Sequence, residues 1–91
     1  MTIMKIKDGY MLREVAGTPI AVAVGPAARG FNGMIRLNSS GAFLWRLLER
    51  GSAEAELAEE CVARYGIGRT EAEEHVAAFL ELLRKNGLID E

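Results

Sequence analysis

Ninety-one residues, 49% hydrophobic and 26% charged, suffice for one packed domain spanning residues 1–91 and leave no room for a second core. No apolar run approaches the ~18 residues of a membrane span, and the start, MTIMKIKDGY, lacks the apolar centre of a secretory signal. The net charge of −2 is uneven: residues 1–50 carry seven Lys/Arg against three Asp/Glu, residues 51–91 four against ten, so the later half is too acidic for phosphate neutralisation of nucleic acid.

In chain order, residues 1–8 read as a loose end or a short extra strand. YMLREV, from Tyr10, is a strand closed by Ala16-Gly17-Thr18. Pro19 opens a second run, Ile20 to Val24, at a position where a missing N–H is expected to leave the ladder intact. Ile20, Val22 and Val24 alternate with Ala21 and Ala23, giving one packed and one half-exposed face. The two strands are expected to pair as a hairpin. Gly25 to Gly30 is a loop, Asn32-Gly33 a turn, and Met34 to Leu37 a third short strand.

Helices follow. Asn38 is placed to cap the first, whose Leu44, Leu47 and Leu48 share a face and which stops near Arg50-Gly51. Ser52 is expected to cap the second, running to about Tyr65 with Glu54 and Glu56 in its first turns. Thr70 and Glu73 have the spacing of a capping box, which starts the third helix there and ends it near Asn86-Gly87. Its Ala72, Val76, Phe79 and Leu83 form the core stripe, while His75, Ala78 and Leu82 extend the apolar arc beyond what packing requires. Leu88-Ile89 fold back as a terminal apolar pair.

Groups for bond-making chemistry stand alone. His75 is the single histidine and Cys61 the single cysteine, short of the three or four ligands a zinc or iron site needs. Cys61 has no disulfide partner in the chain, which fits a reducing cytoplasm. Ser39-Ser40 have no companion base, and the pairs Glu59-Glu60 and Glu73-Glu74 diverge by ~100° on a helix. No catalytic residue, metal or cofactor is expected.

The blocks GYMLREVAG, FNGMIRLNSSGAFLWRLL and the closing Gly87-Leu88-Ile89 resemble the PqqD family, the stand-alone precursor-peptide recognition elements. The resemblance implies an α+β, winged-helix-like domain, a three-stranded antiparallel sheet followed by three helices. It further implies a non-enzymatic, cytoplasmic module that binds the leader segment of a ribosomally made precursor peptide. The module then presents that segment to a radical SAM or other peptide-modifying enzyme. Carried onto this chain, the leader adds as a strand against Met34, Ile35, Arg36 and Leu37, with His75, Val76, Ala78, Phe79, Leu82 and Leu83 as the helical wall. Main-chain hydrogen bonds would hold it and side-chain pockets would select it, with Arg36 or Arg13 meeting an acidic leader residue. A bare strand edge also suits a homodimer. Two other readings share the outline: a winged-helix DNA-binding regulator, which the acidic helices oppose, and a structural subunit that holds an enzyme without touching its substrate.

Overall fold

The computed structural model describes residues 3–25 and 34–91. The loop from Pro26 onward and the Asn32-Gly33 turn lie outside the described residues. Among the described residues five strands and three helices follow in the order β1 (Lys5–Ile6), β2 (Tyr10–Val15), β3 (Thr18–Ala23), β4 (Met34–Arg36), α1 (Ser39–Arg50), α2 (Glu54–Tyr65), α3 (Arg69–Lys85) and β5 (Ile89–Asp90). The three-stranded antiparallel sheet has the order β2-β3-β4, and β1 pairs with β5 in a separate two-stranded ribbon. This is the expected mixed α+β architecture.

The β2–β3 hairpin closes through Ala16 and Gly17, both at positive φ (52° and 82°), with Val15 opposite Thr18. Two left-handed residues in succession match the twist of the strands they join. Within the sheet the inner face is the alanine face. Ala21 is buried between Leu12 and Ile35, which pack on the core, whereas Ile20 and Val22 on the other face are half-exposed.

Pro19 is less innocent than its expected place at a strand start. The Val24 N–H donates to Gly9 O at 2.7 Å and the Leu37 N–H to Pro19 O at 2.9 Å. With hydrogen-bonded and non-bonded pairs alternating, the main-chain groups of residues 19, 21 and 23 face β4. Proline has no N–H to return to the Leu37 carbonyl, and β4 ends at Arg36.

Asn38 caps α1 as its sequence implies: Oδ1 accepts from the Gly41 N–H at 2.7 Å and from Ser40 Oγ at 3.0 Å. The other two helix starts differ from expectation. Ser52 is not the cap of α2, because its backbone is engaged in a bridge to Met4 (2.8 and 2.9 Å). The cap falls to Ala53, whose N–H donates to Glu56 Oε1 at 3.0 Å. Nor do Thr70 and Glu73 box α3. That helix starts one residue earlier, after an extended Gly68, and Glu73 pairs with Arg69 at 3.3 Å.

The N-terminal residues form a strand. Met4 bonds Ser52 on one side while β1 pairs with β5 on the other, and the Lys7 N–H donates to Leu88 O at 2.9 Å. One apolar cluster spans the chain, from Met4 and Ile6 through Trp45, Leu57, Val76 and Leu80 to Leu88 and Ile89. Trp45 is wholly buried and its Nε1–H meets no acceptor among the described residues.

Candidate functional site

Strand β4 is the edge of its sheet: among the described residues nothing pairs with its far side. Since residue 35 exchanges bonds with residue 21, the N–H and C=O of Ile35 point inward to β3. Those of Met34 and Arg36 therefore point outward and are free to take a further strand. The side chains divide the other way. Ile35 is directed to the core, and Met34, 66% exposed, lies on the outer face.

Beside this edge opens a cleft of about 490 Å³. Its near wall is Arg36, Leu37 and the capped first turn of α1, with Asn38, Ser40 and Gly41, and Leu44 one turn deeper. Its far wall is α3, which contributes His75, Ala78, Phe79 and Leu82. Cys61 and Tyr65 from α2, with Ile67 after it, close one end. Gly41 is where the two walls meet. A Cβ there would be crowded by Asn38 Oδ1 at 3.1 Å, on its own wall, so glycine leaves room for the capping side chain, while the Phe79 ring at 3.5 Å would be in ordinary contact.

Six of the residues singled out from the sequence, Arg36, Leu37, His75, Ala78, Phe79 and Leu82, thus gather around one cavity. Val76 and Leu83 do not. Both are wholly buried in the core, on the stripe that fixes α3, and neither borders the cleft. Met34 and Ile35 belong to the strand edge and not to the cavity. The sequence reading missed Asn38, Ser40 and Gly41, Leu44, and the α2 end with Cys61, Tyr65 and Ile67. The signal for the last group was present: the α2 stripe runs on to Tyr65, which remains 41% exposed. An aromatic that continues a core stripe but stays uncovered marks a rim.

The Tyr65 ring is held edge-on to Phe43 of α1 at 5.9 Å, and the Arg64 guanidinium lies 4.8 Å above the Phe43 ring. Burial, with Glu60 adding to it, pushes the Cys61 thiol above its ordinary pKa, which disfavours the thiolate. Among the described residues there is no group of three or more His, Cys, Asp or Glu able to hold a metal, and no helix long and apolar enough to cross a membrane. Arg13 stands on β2, across β3 from the free edge, roughly 10 Å away at the spacing of strands. Of the two arginines considered for a guest's carboxylate, only Arg36 is in reach.

The family model for PqqD, described as coenzyme PQQ synthesis protein D, matches residues 8–89. The chain belongs to the PqqD family. Two solved structures share its fold. One is described as lasso peptide synthetase B1 complexed with the leader peptide. It is 19% identical over 97% of this chain and 98% of its own, with a TM-score of 0.75. The other is TbiB1 in complex with the TbiA(beta) leader peptide, 22% identical over 94% of each chain, also at 0.75. No curated protein sequence matches. At these identities the structures speak for the fold; the PqqD assignment rests on the family match.

Proposed function

We propose that this PqqD-family chain is a non-catalytic recognition module. It captures the leader segment of a ribosomally made precursor peptide as a strand added to β4. It then presents the substrate to a modifying enzyme, a radical SAM protein or another catalyst of peptide maturation. A cytoplasmic setting accords with this role. The observation that carries the reading is a sheet edge with outward main-chain groups at Met34 and Arg36 beside an apolar cleft walled by α3. Both structures that share the fold hold leader peptides.

Four main-chain hydrogen bonds at about 1 kcal/mol each fall short of the roughly −8 kcal/mol of micromolar binding, more so once the cost of association is counted. Several apolar anchors in the cleft at about 1.5–3 kcal/mol each must therefore supply the larger part. Alternate guest residues face the cleft, and those between them lie beside Met34 and Arg36 on the outer face, where a carboxylate opposite Arg36 is favoured. A homodimer formed through the same edge would compete with the leader.

Leu82 is the discriminating position, being 36% exposed on the cleft wall while its neighbour Leu83 is wholly buried. Leu82→Asp is expected to leave thermal unfolding nearly unchanged and to weaken leader binding at least about tenfold, as for loss of an interface anchor. Leu83→Asp is expected to unfold the domain. Calorimetric titration with leader peptide, alongside thermal melts, checks both. Undiminished binding by Leu82→Asp would remove the cleft from the mechanism.

A further inference from the structure

Leader capture takes only the β4 margin of the outer face of the three-stranded sheet; the part of that face on β2 and β3 is left over. Across its strands run two rows. One is Met11, Val22 and Met34; the other is Arg13, Ile20 and Arg36. Met11 and Met34 are 38% and 66% exposed, so the first row is uncovered. The side chains of Arg13 and Arg36 make no ion pair or hydrogen bond among the described residues. The outward positions of these strands include no acidic residue, since Glu14 alternates to the other face.

We propose that this face docks an amphipathic helix of a partner protein, apolar along its centre and carrying carboxylates on its flank. Dimensions and charge both select that occupant. The six-residue β2 and β3 at ~3.3 Å per residue give a face roughly 20 Å long, which the three-residue β4 widens to about 14 Å over half that length. That is the footprint of one helix of about 14 residues and 10–12 Å diameter. A two-fold dimer through this face would bring the arginines of two copies together, whereas carboxylates on a partner helix would meet them. Two cations around an apolar centre are too few to bind a phosphate backbone. Methionine in the exposed row adapts to different helix side chains. The surface adjoins the β4 edge, so a guest strand there would widen it, a point that rests on the leader-capture reading; the docking itself does not.

The probe is a synthetic, end-capped helix of about 14 residues with leucine at helical spacing and glutamate on both flanks, titrated into the labelled full chain. Amide shifts at Met11, Ile20 and Val22 are expected, with affinity falling about five- to tenfold in Arg13→Glu and less in Arg13→Ala. Leader affinity should be the same in both variants as in the parent chain, because Arg13 is remote from β4. Equal binding of the matched peptide with lysine for glutamate overturns the proposal. So do shifts confined to α3 and the cleft, an unchanged affinity in Arg13→Glu, or sedimentation showing that a second copy covers the face instead. Perturbation of the same amides by a short DNA duplex, without response to the acidic helix, also refutes it. A chain that binds the acidic helix but no leader would refute leader capture alone.

Discussion

Ala16 occupies left-handed backbone at φ 52°, a conformation that an L-residue with a Cβ disfavours by about 1–2 kcal/mol. Asparagine tolerates it and, before Gly17, completes the favoured hairpin dipeptide. Ala16→Asn is therefore expected to raise stability by about 1 kcal/mol, read as a higher urea midpoint, with no change in leader binding. Cys61 gives a prediction of the opposite sign. Its raised pKa means that the folded chain keeps the thiol proton to higher pH than the unfolded chain does. Its contribution is full below the unfolded cysteine value of about 8.5 and is lost as pH rises through the folded value. Urea midpoints measured upward from pH 8 should fall more steeply in the parent than in Cys61→Ala. Local chemistry of this kind was partly legible: Asn38 announced its cap, because the residue lies between a strand and an apolar helical stripe. Ser52 was misread because its rival for backbone bonds, Met4, lies 48 positions away in the chain and carries no local signal.

At the level of single elements, β4 shows what periodicity can and cannot give. Its existence and near limits were readable from four mostly apolar residues before a capping asparagine. Which of its amides face the open side was not, since that depends on pairing with β3 and thus on Pro19 and Leu37. The consequence is a pair of substitutions with opposite readouts. Ile35→Pro removes a donor that β3 uses and is expected to lower the melting temperature. Arg36→Pro removes only an outward donor, so the fold should persist while leader affinity drops below that of Arg36→Ala, the control for the lost side chain. Circular dichroism melts and leader titration separate the two. Helix α3 was legible in its stripe, which put Val76 and Leu83 in the core where they lie; the family resemblance was what also offered them as wall residues. A helix face that is merely apolar does not say which of its edges meets a neighbour.

For the molecule as a whole, the two ends of the chain are joined by β1 and β5, and Met4 and Ile6 enter the same core as Trp45 and Leu80. A segment that sequence alone left between loose end and strand is thus structural, its pairing set by residues more than eighty positions on. Ile6→Ala is expected to lower global stability by about 2–4 kcal/mol, with denaturation by fluorescence of the buried Trp45 and by circular dichroism giving one coincident transition. Non-coincident curves would mean that the ribbon melts independently of the helices.

The proline of the central strand has a consequence for the chain's behaviour in a crowded solution. It withholds one N–H where β4 ends, and among the described residues the vacant margin there amounts to Met34 and Arg36. So short a margin, with a positive charge on it, is a poor template for endless stacking of like chains. A peptide whose anchors fit the cleft has a second source of attraction there; another copy of this strand has Ile35 and Leu37 turned into its own core and does not. The site can in this way stay open to its guest without becoming a seed for precipitation.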